Sequence, residues 1–338
     1  MRERHPHLRR RAFLRLGLAT GAVLALPAGL AGCSGRERLE LLLAEGELPP
    51  AWLRKLPDGW RAHSRSDPAA VIEHLKPAAL VALGDGWAGS LSRSDWQPLQ
   101  APALLGRLAP WARPASRLFA NNSAPAVAFP WSFSPWVIAL RSRPDLAARS
   151  AEGWGLLLDP SLRGQLVLPS SARLCMELMD RDFERIAALR RQALAHDDRH
   201  GLNLLLSGDA AAAVLPLRRL IPLLRRDPRL QVVLPDRGAP LSWQLLLRPA
   251  GSAAPLPLEW IGAALEEPLL ELLLLAGWVP PLPRTELAPL LEQLPAAQAA
   301  LLLPPEPVLE RCWNLPPLST PQRLAYQTVW DAAAAPSP

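Results

Sequence analysis

Tyrosine is almost missing from this chain of 338 residues: Tyr326 stands alone beside 13 tryptophans. A site assembled from several tyrosines, such as a ferric tyrosinate centre, is thereby excluded. Lysine is nearly as scarce, with Lys55 and Lys76 the only two among 37 basic residues. That bias fits a GC-rich coding sequence and says little about function. Cysteine is limited to Cys33, Cys175 and Cys312. A disulfide between the last two is permitted in an oxidising compartment, but free buried thiols are the simpler reading. No stretch beyond the N-terminus supplies the ~20 apolar residues of a membrane span. The best one, Pro268 to Leu275, holds Glu271 and reads as a buried helix.

Catalytic signatures are missing as well. There is no Gly-x-Ser-x-Gly elbow. Cys175 lies in an apolar helical stretch, unlike an activated thiol. Gly84-Asp85-Gly86 is too short for a phosphate-binding fingerprint. His196 and His200 are spaced to share one helix face, half of a metal site. The stretch His196-Asp197-Asp198-Arg199-His200 reads instead as the polar end of a helix, with Gly201 at its C′ position. No metal, cofactor or enzyme activity is expected on these grounds.

The net charge of +6 invites a nucleic-acid reading, which its distribution removes. Residues 1–32 hold six arginines and one acid, and taking these away leaves 31 bases against 30 acids. A body with a net charge of +1 from Cys33 onward offers no basic stripe for a phosphate backbone.

The basic N-terminus reads as an address. Arg9 to Arg15 precede an apolar run rich in Gly and Ala from Leu16 to Leu30, and Leu30-Ala31-Gly32-Cys33 follows. That order is an export signal. Arg10-Arg11-Ala12-Phe13-Leu14 resembles the twin-arginine motif, and Leu30-Ala31-Gly32-Cys33 resembles a bacterial lipobox, whose cysteine becomes the acylated mature N-terminus. Residues 1–33 are therefore expected to be a signal, with Cys33 lipidated and the protein held at a membrane in the periplasm.

After the signal, short apolar runs alternate with amphipathic stretches, the pattern of an α/β fold. Strands are expected at Leu39–Leu43, Ala79–Leu83, Gln165–Pro169, Ala210–Leu215 and Leu230–Leu234. Ala126 to Leu140 reads as one extended crossing segment. Pro50 starts a helix, Phe183 to Ala195 is an amphipathic helix, and Leu258 to Leu275 is helical with a break at Pro268. The Pro-rich piece Leu303 to Pro307 reads as a surface connection before a last helix at Gln322–Ala332. Trp87, Trp131, Phe133, Trp136 and Trp243 occupy strand ends and the crossing segment, where aromatic walls grip ligands. Core packing accounts for most of the other tryptophans.

Several pieces together resemble bacterial ABC-importer solute-binding proteins of the spermidine/putrescine type. They are Leu48-Pro49-Pro50-Ala51-Trp52-Leu53, Pro130-Trp131-Ser132-Phe133, Trp154 to Gly164, Ser207 to Val214, Gly238-Ala239-Pro240 with Leu246-Leu247-Arg248-Pro249, and Ala276-Gly277-Trp278-Val279-Pro280. The resemblance implies a type II-like, two-lobed α/β periplasmic binding fold, with a ligand cleft between lobes joined by crossing strands. Lobe one would comprise residues 39–136 and 243–288, lobe two 137–242 and 289–338. The implied partners are an ABC permease and ATPase, a small solute such as a polyamine, and a membrane reached through the lipid anchor, with the protein itself a monomer.

The ligand residues depart from that pattern. A polyamine needs buried carboxylates, and the matching acids read Ser171 and Leu174. Ser242 and Gln244, or Trp243 one residue away, stand for another aromatic and acid. Ala44 and Glu47 replace early aromatics, and Pro216 replaces a tryptophan ahead of Arg218 and Arg219, which suit an anion. Asp85 and Trp87 keep the pattern. The candidate ligand residues are Glu47, Asp85, Trp87, Trp131, Phe133, Ser171, Trp243 and Gln244. Either the carboxylates come from Glu45, Glu47 and Asp85, or the ligand is not a polyamine. A structural or sensory lipoprotein on the same fold, and an exported enzyme, are the rival readings.

Overall fold

The computed structural model describes residues 38–120 and 124–334. The expected export signal and Cys33 lie outside the described residues. Nine strands form one mixed sheet in the order β2-β1-β3-β9-β4-β7-β5-β6, with β8 also paired to β4. They are β1 (Leu39–Ala44), β2 (Trp60–Arg65), β3 (Leu80–Gly84), β4 (Ala128–Arg141), β5 (Leu166–Leu168), β6 (Ala193–His196), β7 (Ala212–Pro216), β8 (Leu230–Val233) and β9 (Leu241–Leu247). Helices fill the connections, so the fold is α/β as the alternation of elements implied. No helix of the described residues is long and apolar enough to cross a membrane.

The central strands carry almost no polar residue because both faces of the sheet are covered. Leu41 to Ala44 in β1 and Leu80 to Leu83 in β3 are all buried. Strand β4 is the spine. Its first half, Ala128 to Pro135, pairs antiparallel with β9, and its second half, Trp136 to Arg141, pairs with β7 and β8. The switch falls at Pro135, whose missing N–H suits a place where the ladder changes partner. Trp131 is the extra residue of a β-bulge between Pro130 and Ser132.

One large apolar cluster holds Trp52, Trp131 and Trp243 and reaches as far as Leu302, Leu303 and Leu309. A second gathers Ile138, Leu168 and Leu189, with Leu315, Tyr326 and Trp330 of the C-terminal segment packed against it. The helix Thr320–Ala332, opened by a capping box of Ser319 and Gln322, lies where the last helix was expected.

Five readings need correction. Trp60–Arg65, absent from the expected strands, forms β2. Its pattern is polar because β2 is an edge, paired only with β1. The helix from Phe183 ends at Gln192, and Ala193–His196 forms the opposite edge strand, β6. His196 to His200 is therefore no helix end. Gly201 opens the next helix, Gly201–Ser207, and Asp197 Oδ1 accepts the N–H groups of Arg199 and His200 at 2.8 Å each. Helix Leu269–Leu275 is only half-buried, with Leu272 and Leu275 exposed beside Glu271. The Pro-rich piece is not all surface connection either: Leu303 is buried, and a helix begins at Glu306.

The two imidazoles go separate ways, His196 edge-on against Trp330 and His200 to Asp197. Among the described residues no cluster of His, Cys, Asp and Glu is arranged to hold a metal. Cys175 and Cys312 are both free. Burial pushes both thiols up, so neither is an activated nucleophile.

Candidate functional site

Strand register brings two sets of loops together at the middle of β4. Strand β3 ends at Gly84, which sits opposite Gln244 of β9, and Gln244 in turn sits opposite Ser132 of β4. From the other side, β7 ends at Pro216, opposite Trp136 of β4. The carboxyl ends of β3 and β7 thus face each other across four residues of β4, about 13 Å at the rise of an extended chain. Ligands of open α/β sheets sit beyond carboxyl strand ends.

Glu47 enters from the turn after β1, where Gly46 adopts φ 77° and the Glu47 N–H donates to the Ala44 carbonyl at 3.1 Å. Positive φ is open to glycine at little cost, which lets the chain reverse at once beyond the strand. A Cβ built on Gly84 would lie 3.6 Å from Glu47 Oε1 and 3.8 Å from Gln244 Nε2, so both side chains crowd the end of β3. Arg218 enters from the turn after β7. Its N–H donates to Ser134 Oγ at 2.9 Å, and its guanidinium lies 4.2 Å from the centre of the Trp278 ring. Trp278 packs at 4.8 Å on Trp131, which is edge-on to Trp52.

Ten buried side-chain polar atoms of the described residues lack a hydrogen-bond partner, and four of them belong to residues of these strand ends and of β4: Glu47 Oε1, Gln244 Oε1, Trp131 Nε1 and Arg218 Nε. Buried polar groups are usually paired, and here two of the unpaired ones, on Glu47 and Arg218, belong to groups of opposite charge. Burial raises the Glu47 carboxyl, an effect Arg218 partly offsets. Burial likewise lowers the Arg218 guanidinium.

Asp85 opens the short helix Asp85–Ala88 at the end of β3 and is buried. Its Oδ1 accepts the Trp243 N–H at 3.1 Å. Burial drives its carboxyl up to about 7, against the pull of the Trp243 and Gly86 N–H groups and of the Arg173 charge. The folded chain therefore keeps, from about pH 4 to pH 7, a proton that the unfolded chain has released. Stability from this group is full in acid and falls as pH rises toward 7. Urea unfolding at pH 5 and pH 8 is expected to show a larger loss in the native chain than in Asp85→Asn. Equal losses would contradict the assignment.

The remaining expected residues have defined places. Trp243 is fully buried, and its indole N–H donates to Asn314 Oδ1 at 2.8 Å. Phe133 is buried beside it, 4.7 Å from Trp111. Trp87 is exposed. Ser171 is the N-cap of helix Ala172–Leu178, its Oγ accepting the Leu174 N–H at 3.2 Å. The geometry thus groups Glu47, Gln244 and Trp131 with Arg218, whose guanidinium lies on Trp278. A recess of about 560 Å3, lined by Arg38, Lys76 and Ser252 among others, lies at the amino ends of β1 and β3, away from this group.

No protein-family model matches the chain, and no curated protein does. Solved structures do. The chain is similar to the spermidine/putrescine ABC transporter substrate-binding protein PotD of Streptococcus pneumoniae, with a TM-score of 0.68 at 12% identity over 88% of this chain and 98% of that one. The TpPotD lipoprotein of Treponema pallidum superposes with a TM-score of 0.61 at 13% identity, over 88% and 99% of the two chains. A ferric binding protein from Campylobacter jejuni gives a TM-score of 0.56 at 12% identity, over 88% and 99%. The chain therefore has the two-lobed α/β fold of solute-binding proteins, as the ordered motifs implied.

Proposed function

We propose that this protein is the solute-capturing component of an ABC importer. Residues 39–136 with 243–288 form one lobe, and 137–242 with the C-terminal segment the other. Strand β4, the entry to β9 and the segment at Trp313, which bridges in parallel to Pro240, serve as the crossings. The observation that carries this reading is the set of four unpartnered buried polar atoms where the ends of β3 and β7 converge. Arg199 supports it. It follows β6 in the second lobe of this reading, and its guanidinium donates to the Ser66 carbonyl beyond β2 in the first at 3.1 Å. Lobe closure on a solute would be a hinge motion that makes contacts of this kind.

A solute screen by thermal unfolding tests the reading. A ligand at ~100 times its dissociation constant adds ~2.7 kcal/mol to stability. Stabilisation by one class among polyamines, amino acids and organic anions is expected. A blank screen together with turnover of some substrate would favour an exported enzyme.

The chain is further proposed to be exported and anchored through acylated Cys33, with permease and ATPase subunits as partners. Cys33→Ala is expected to release the protein from membranes. Mass spectrometry finding an unmodified, internal Cys33 in the mature protein would sink the anchor. Lysines in place of Arg10 and Arg11 are expected to block export if the twin-arginine route is used.

A further inference from the structure

We infer that the cleft takes a dipolar solute, with an ammonium held at Glu47 and Gln244 and a carboxylate held at Arg218. The inference rests on the solute-capture reading and names the chemistry of its ligand. The four orphaned atoms divide by type: Glu47 Oε1 and Gln244 Oε1 accept, while Trp131 Nε1 and Arg218 Nε donate. The acceptors crowd the end of β3 at Gly84. The donors lie along the Trp131–Trp278–Arg218 stack.

Two opposite charges, Glu47 beyond β1 and Arg218 beyond β7, thus stay apart. No ion pair joins Glu47 to Arg218 among the described residues, although each feels the field of the other. The Arg218 guanidinium lies on Trp278 instead, and its backbone N–H donates to Ser134 Oγ. Burying each charge without a partner is costly, and a ligand of one sign relieves only one of them. A diamine would press its second ammonium toward the guanidinium, and a diacid its second carboxylate toward Glu47. A solute with one end of each sign satisfies both charges by charge-assisted hydrogen bonds.

Calorimetry on the mature chain tests the inference with glycine, 4-aminobutyrate, butylamine, butyrate and putrescine. At least one amino acid is expected to bind about tenfold or more tightly than the one-ended compounds and putrescine. Glu47→Gln and Arg218→Met are each expected to weaken that amino acid about tenfold or more. Thermal unfolding of the unliganded variants checks that they fold, and Arg218→Lys, which keeps the charge, is expected to retain more affinity than Arg218→Met. Putrescine or butylamine binding as tightly as any amino acid, with Arg218→Met without effect, would overturn the inference and leave solute capture standing. No heat with any of these five probes would also overturn it. Solute capture itself falls only if the wider thermal screen is blank too.

Discussion

Titrated with spermidine, the mature chain is expected to bind weakly or not at all. Each ammonium of a polyamine must leave water, and a buried ammonium without its carboxylate costs about 2–5 kcal/mol. Each ~1.4 kcal/mol is a factor of ten in affinity. At two positions where the resembling family carries acids, this chain has Ser171, whose hydroxyl is spent on a helix cap, and Leu174, which is buried. Arg218 adds a repulsive charge at the cleft. Glu47 is the carboxylate with an unpartnered buried oxygen, and burial, which raises its proton affinity, weakens it further as a cation partner. Glu47→Gln is therefore expected to remove whatever cation binding remains. A micromolar or tighter spermidine constant, unaffected by Glu47→Gln, would contradict this assignment of the pocket.

Trp52→Ala is expected to be the most damaging single truncation for stability. Trp52 is fully buried, stacked at 4.6 Å on Trp260 and edge-on at 5.0 Å to Trp131. Its indole N–H donates to the Trp260 carbonyl at 2.8 Å, and the Trp260 indole returns a bond to the Trp52 carbonyl at 3.0 Å. The pair ties helix Pro50–Leu53 to helix Leu258–Gly262 across the length of the sequence. Removing a large buried aromatic costs about 3–5 kcal/mol, and the orphaned carbonyl adds roughly 1–3 kcal/mol. Trp87→Ala, at an exposed site, is expected to change stability by at most about 0.5 kcal/mol. Urea midpoints for the two variants check the contrast. Comparable small losses would show that the Trp52 cluster does not hold the fold together.

The elements most legible in the sequence were those whose local composition and environment agree. Leu39–Leu43 and Ala79–Leu83 are apolar because they are central, and the run from Ala126 to Leu140 kept its extended character despite two prolines. The edges were not legible. Trp60–Arg65 looks like a loop because one side of β2 faces solvent, and Ala193–His196 continues a helical pattern into a strand that only β5 makes necessary. At the cleft, Glu47, Gln244 and Trp131 were named from sequence order. Arg218 was noted only as a residue suited to an anion. Its stacking on Trp278, sixty positions later, is a tertiary fact that no local pattern carries. The same holds for the orphaned state of these atoms, which depends on what the fold leaves out of reach.

A crystal structure of the mature chain with the solute that stabilises it most tests the central claim directly. The account places that solute at the middle of β4, with polar atoms within about 2.7–3.2 Å of Glu47 Oε1 and Arg218 Nε. A solute seated instead in the recess of Lys76 and Ser252, with Glu47 and Arg218 still unpartnered, would contradict it.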